Sequence, residues 1–109
     1  MLPREYRLRK IHYLTLKRGK KIKTTYFLLF YKENDIAQTR VGVTITKKIG
    51  KAAFRNKIKR RILSAIEHDV RERKKGIDVV IIPSQYVKNW EDVSFEAIHE
   101  DLYNALSKL

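Results

Sequence analysis

Cysteine is absent from the 109-residue chain. Its absence excludes disulfides, thiolate catalysis and thiolate metal sites, and it fits a reducing cytosol. Long apolar runs are missing as well. The longest, Tyr26–Tyr31, is far too short to span a bilayer. The opening residues M-L-P-R-E-Y-R hold no apolar core of signal-peptide length. Internal repeats and low-complexity segments are lacking too. The expectation is one soluble, cytoplasmic domain over residues 1–109, with residues 1–10 as a basic, partly flexible arm.

The motifs of a self-sufficient enzyme are also missing. Its three histidines, His12, His68 and His99, each fall on a predicted helix, and none belongs to a matching His or carboxylate ligand motif. His68 neighbours Asp69, but adjacent helical residues point apart. Gly50-Lys51 lacks the first glycine and the Ser/Thr of a phosphate-binding loop, and neither a dinucleotide turn nor a nucleophile elbow occurs. No catalytic centre built by this chain alone is expected, and no metal site.

The most informative scarcity is of acid. No Asp or Glu occurs between Asp35 and Glu67. Residues 1–61 carry nineteen basic and three acidic side chains, a net +16, whereas residues 62–109 carry six and nine, a net −3. The total is +13. A small domain with that asymmetry reads as a nucleic-acid binder. An anionic membrane surface is the lesser reading, because a membrane-surface helix shows bulky aromatics on its apolar face.

The positive charge is densest in Lys47–Arg61, K-K-I-G-K-A-A-F-R-N-K-I-K-R-R. Folding this segment brings like charges together, a repulsion that an outside polyanion relieves. The segment opens a predicted helix over residues 51–74. At the helical period Phe54, Ile58, Ile62, Ala65, Ile66 and Val70 share one side, with Leu63 at its margin. Lys57, Arg60 and Arg61 lie opposite or beside that side, but Arg55 and Lys59 intrude on it. A purely structural helix would avoid such an intrusion. It makes sense if the early turns overhang a groove and only the later turns are buried. Gly50 lets the chain bend before the first turn, where free amides and the helix dipole favour an anion.

Around this segment the chain reads as alternating elements. Ile11, Tyr13, Leu14 and Leu16 predict a short helix ending at Gly19, with Lys17 and Arg18 in its last turn. Lys20, Lys21 and Lys23 read as a basic connector, either a solubilising loop or a phosphate contact. Thr24–Lys32 is a strand with Tyr26, Leu28 and Phe30 on one face and Phe27, Leu29 and Tyr31 on the other. One face covers the core. The other is a second core face or an open aromatic platform for base stacking. Arg40–Lys47 alternates with Val41, Val43 and Ile45 inward, and Gly42 marks a bulge or a close backbone approach. Arg73, Lys74, Lys75 and Gly76 close the basic helix. Ile77–Ile82 is an apolar strand stopped by Pro83, and strand–helix–strand with such a return suggests parallel pairing. Tyr86 and Trp90 are expected to anchor the following loop. Ser94 caps a last helix whose buried face holds Phe95, Ile98, Leu102, Ala105, Leu106 and Leu109. The order is α-β-β-α-β-α, with room for another strand near residues 20–32, a compact layered fold.

At Lys47–Arg61 the sequence resembles the signature of the bacterial ribonuclease P protein subunit. The family motif Arg-Asn-Arg-x-Lys-Arg stands here as Arg55-Asn56-Lys57-Ile58-Lys59-Arg60. R-L-R-K at 7–10, the helix ending at Gly19, T-Y-F-L-L-F-Y, R-V-G-V at 40–43 and D-V-V-I-I-P at 78–83 follow in family order, so the resemblance covers nearly the whole chain.

The resemblance implies an α+β fold, an α/β sandwich of ribosomal-protein-S5-domain-2-like type. Its order is α-β-β-β-α-β-α around a mixed central sheet. It also implies a left-handed βαβ crossover, where the general rule predicts a right-handed one. It implies partnership with the ribonuclease P RNA, which cleaves the 5′ leader from precursor tRNA. Mg²⁺ would be used by the RNA–protein complex, with no cofactor on the protein alone, which is expected to be a monomer in the holoenzyme. Carried over by residue, the basic RNA-binding motif comprises Lys47, Lys48, Lys51, Arg55, Asn56, Lys57, Lys59, Arg60 and Arg61. A leader cleft would comprise His12, Tyr13, Leu16, Leu28, Phe30, Arg55 and Lys59. The family often has phenylalanine where Leu16 and His12 stand, so stacking at that wall is expected to weaken or move to Tyr13. Lys57 keeps the charge of an arginine but loses its bidentate geometry.

Three other functions remain open on the residues alone. A ribosomal or chaperone-like RNA binder would bind structured RNA without preferring a leader. A DNA-binding regulator would place the basic helix in a major groove, although a strand rather than a helix-turn-helix precedes it. A nuclease acting alone would cleave precursor tRNA without an RNA subunit.

Overall fold

A computed structural model of the chain describes residues 2–9, 12–16, 18–73 and 75–109. The expectations for Lys10, Ile11, Lys17, Lys74 and the Leu14 side chain lie outside the described residues. The elements are α1 (Tyr13–Leu16), β1 (Lys20–Lys23), β2 (Phe27–Glu33), β3 (Arg40–Val43), α2 (Ala52–Glu72), β4 (Ile77–Pro83) and α3 (Phe95–Leu106). They follow the order α-β-β-β-α-β-α.

The sheet runs β1-β2-β4-β3. β1 and β2 pair antiparallel, as do β2 and β4, while β3 and β4 pair parallel across the α2 crossover. β4 is apolar apart from Asp78 near its start, because it lies inside the sheet with a strand on either side. The expected basic connector is instead strand β1. Its only apolar residue, Ile22, stands opposite Leu29, and its lysines guard a free sheet edge against further pairing.

One face of the sheet supplies Phe27, Leu29, Val41, Val79 and Ile81 to a core with Ile58, Ile62, Ile66 and Val70 of α2 and Ile98, Leu102 and Leu106 of α3. The apolar stripe read along α2 is this buried face, with Phe54 half-buried at its start. The opposite face carries a smaller cluster of Leu8, Leu16 and Val80, with Tyr13, Phe30 and Ile82 packed on it. Phe30 is thus part of a second core rather than of an open platform.

Three expectations need correction. Residues 2–8 do not hang as a loose arm: Leu2 is 0% exposed, Leu8 N–H donates to Val41 O at 2.9 Å, and Arg7 bridges Val41 in parallel. Tyr86 does not anchor the loop, being 81% exposed; Trp90 does, packing on Phe27 and donating from Nε1 to Ser84 O at 3.0 Å, with Val87 also packed on the core. Phe95 leaves the buried face of α3 and is 43% exposed, because the first turn of the helix projects past the core. Its ring stacks on His99, and that of His99 on Tyr103. Ser94 does cap α3, its Oγ accepting from Ala97 N–H.

Polar contacts pin the sheet ends. Arg40 donates from Nε and Nη2 to the two Asp78 carboxylate oxygens at 2.9 and 2.8 Å, across the β3–β4 register. Asn34 Nδ2 adds a bond to Asp78 Oδ1. The hydrogen bond to Asp78 raises the Arg40 guanidinium above its ordinary value, partly offset by burial. At the other end Asp101 of α3 accepts from Thr24 Oγ1 and Tyr26 N–H, tying the β1–β2 turn to the helix.

Candidate nucleic-acid interface

The basic run enters α2 through a tight 3-10 turn at Lys47–Ile49, which leaves Lys47 and Lys48 exposed. Gly50 then takes φ 156°, a conformation that disfavours side chains, and a Cβ there would meet the Phe54 ring at 2.9 Å. Lys51 is the N-cap and contributes no side-chain cap, and the first turn holds no acid. The leading amides of α2 therefore face outward with cations on either side.

Arg55 and Lys59 lie one turn apart on the sheet-facing side of α2. With Ala52 and Asn56 they form one wall of a cleft of about 410 Å³. Val43, Thr44 and Ile45 at the end of β3 form the second wall, and Tyr13 of α1 closes it. Tyr13 fits because Gly42 has no side chain: a Cβ there would stand 2.6 Å from the Tyr13 ring. Gly42 is thus a close approach, not a bulge. Burial pushes the Tyr13 hydroxyl above its ordinary range, opposed by the Val43 backbone.

The electrostatics of this cleft are one-sided. The described ion pairs, Arg40–Asp78, Arg71–Glu67 and Lys75–Glu33, all lie outside the basic run. Arg55 Nε is buried and meets no hydrogen-bond acceptor among the described residues. Such a donor costs roughly 1–3 kcal/mol until something accepts from it. An oxyanion entering between α2 and β3 would supply both acceptor and counter-charge. Lys57 and Arg60 are exposed and Arg61 half-buried, all turned away from the cleft.

The residues assigned to a leader cleft are thus only partly gathered. Tyr13, Arg55 and Lys59 meet in one place, joined there by Asn56 of the basic motif. Leu28 lies in an adjoining groove of about 870 Å³. His12 lines a different recess with Arg4, Arg7, Arg9 and Arg40. Leu16 is 2% exposed and works from behind the wall, supporting Tyr13 and Phe30. Thr44 and Ile45, which no motif singled out, line the cleft because β3 ends beside α2. Among the described residues, no three His, Asp or Glu side chains gather as a metal site, and no helix is long and apolar enough to cross a membrane.

Fold and site together define a class: a small α+β sandwich with a cation-lined cleft where a strand enters a basic helix. The family described as Ribonuclease P matches residues 2–109. A ribonuclease P protein component of Thermotoga petrophila is 34% identical over 104 residues, covering 94% of this chain and 89% of the relative. That of Finegoldia magna is 38% identical over 93 residues, covering 84% and 78%. The RNase P protein from Thermotoga maritima, solved in complex with 1-(4-fluorophenyl)-2-thiourea, superposes with TM-score 0.87 at 32% identity, over 94% of this chain and 99% of that one. The Staphylococcus aureus RNase P protein gives TM-score 0.80 at 25% identity, each chain covered to 94%. The chain belongs to the ribonuclease P protein family. The protein component in that family is part of a tRNA-processing endoribonuclease.

Proposed function

We propose that this chain is the RNA-binding accessory of a ribonuclease P holoenzyme. It holds the unpaired 5′ leader of precursor tRNA in the cleft between α1, β3 and α2, and it docks on the catalytic RNA. Arg55 and Lys59 bind leader phosphates from within the cleft, and Lys47, Lys48 and Lys51 extend that contact along the entry turn. Lys57, Arg60 and Arg61, on the far side of α2, meet the RNA subunit. Tyr13 is the aromatic wall against which a leader base stacks. Mg²⁺ would be held by the RNA–protein complex, where it would supply an activated water and offset developing charge. The chain's own part is to position the leader and to lower phosphate repulsion where strands converge.

The observation that carries this reading is the Arg55 Nε, without a hydrogen-bond partner among the described residues, beside a cleft whose described lining holds no acid. The test is reconstitution with a bacterial ribonuclease P RNA. Adding the chain is expected to lower the Mg²⁺ required for leader removal. General RNA binding without that effect would favour a ribosomal role.

A further inference from the structure

The outer side of α3 carries aromatic rings that the core does not use. Phe95, His99 and Tyr103 follow one another at four-residue intervals, so they share a side of the helix. Their rings form a ladder. Phe95 and His99 lie 6.4 Å apart between centroids with 21° between planes, and His99 and Tyr103 lie 6.2 Å apart at 20°. All three are exposed, Tyr103 by 53%. The buried side of the helix is Ile98, Leu102, Ala105 and Leu106, and the ladder runs beside it. Rings so exposed lend little to the core, but stacking on one another keeps them in a row.

Acid lines both banks of this ridge. Glu96 and Glu100 follow Phe95 and His99 on α3, and both are exposed. Across the seam between the helices, Asp69 and Glu72 of α2 join Tyr103 and Ser107 around a recess of about 290 Å³. Asp69, Glu72, Glu96 and Glu100 form no ion pair among the described residues. His68 and Arg73 also line the recess, but Arg73 is turned inward and donates from Nη2 to Leu106 O. The recess lies about three helical turns along α2 from Lys59, in the half of the chain where acid outnumbers base.

This chemistry selects a ligand. A phosphate backbone would be repelled by these carboxylates, so the ridge does not continue the nucleic-acid surface. A wholly apolar partner would bury the same carboxylates without a counter-charge. A guanidinium suits both features, because it lies flat on an aromatic face and donates in a fork to a carboxylate.

We infer that the Phe95–His99–Tyr103 ridge is a docking surface for an arginine-bearing basic segment of another protein. Its arginines stack on the exposed rings, and the carboxylates on either bank accept their N–H groups. Arginines one helical turn apart match the spacing of the ladder. The inference does not rest on the leader reading. The ridge lies outside the cleft, so a protein docked there leaves Arg55 and Lys59 open to RNA.

The test uses the full chain and, as probe, an alanine-based helical peptide with arginines at i and i+4. Amide chemical shifts show where the peptide binds, and fluorescence anisotropy shows how tightly. The expected result is shifts confined to α3 and the last turns of α2. The Phe95→Ala, Tyr103→Ala double variant is expected to bind about tenfold more weakly. The Glu96→Gln, Glu100→Gln double variant is also expected to bind more weakly, with a shallower salt dependence. The same peptide with lysine in place of arginine is expected to lose affinity, because it lacks the flat fork. All four substituted positions are exposed, so an unchanged melting temperature verifies that the variants fold. Absence of binding, shifts spread over the whole chain, or variants that bind like wild type would overturn the inference. So would a single-stranded RNA oligonucleotide that shifts the α3 amides, which would make the ridge a nucleic-acid surface. A dimer in sedimentation equilibrium that Tyr103→Ala dissociates would also overturn it, by giving the ridge to a second copy of the chain.

Discussion

The Tyr13 ring rests directly over the Cα of Gly42, so that one wall of the cleft exists because a strand residue has no side chain. Gly42 sits in the edge strand β3, held in parallel register opposite Val80 of the inner strand β4, so its backbone has little room to shift. Gly42→Ala is expected to push Tyr13 outward. The cost in stability should be about 1–3 kcal/mol, as for other overpacked sites. Urea denaturation measures that cost. Precursor tRNA affinity should fall with it, since the wall moves.

Tyr13 should also report its surroundings by titration. Burial raises its pKa above the ordinary tyrosine value of 10.0. A raised folded-state pKa gives stability that is fully present below the unfolded value and lost as pH rises through the folded one. Tyr13 is therefore expected to ionise late, above the ordinary tyrosine range, in an ultraviolet pH titration. Tyr13→Phe should remove that late component and reduce the fall in stability on the alkaline side.

The N-terminal segment offers a stability test. Leu2 is wholly buried within the main core. Leu2→Ala is expected to cost about 2–4 kcal/mol, close to a core substitution such as Ile62→Ala. Thermal unfolding of the two variants side by side makes the comparison. A loose arm would leave the Leu2 variant unchanged.

These positions show what the sequence carries and what it does not. The period of α2 placed its buried face, and the two intruding cations marked the cleft side, because both are local consequences of 3.6 residues per turn. The apolar run Ile77–Ile82 marked a central strand for a similar reason. Lys20–Lys23 did not read as a strand, since three of its four residues are lysine and its pairing with β2 is tertiary. Docking of residues 2–8 depends on the free edge of β3, which no local pattern reveals. Phe95 obeyed the helical stripe but lies beyond the edge of the core. Tyr86 resembled an anchor because an aromatic in a loop usually is one; its neighbour Trp90 took that role. The alternation Lys21-Ile22-Lys23 was the one signal that puts Lys21 and Lys23 on a common face.

Salt should separate the two sides of α2. Each phosphate contact on a single strand contributes a slope of about −0.7 in log affinity against log salt. Arg55→Ala and Lys59→Ala are each expected to reduce the leader-dependent slope by about that amount. Lys57→Ala and Arg60→Ala should instead weaken assembly with the RNA subunit. Filter binding over a range of salt concentrations distinguishes the two.

The most direct measurement compares precursor and mature tRNA binding by holoenzymes carrying Arg55→Ala or Lys59→Ala. The account predicts weaker precursor binding, by about ten- to hundredfold for the loss of a charged hydrogen bond, with mature tRNA affinity nearly unchanged. Equal loss for both substrates would contradict a cleft that grips the leader.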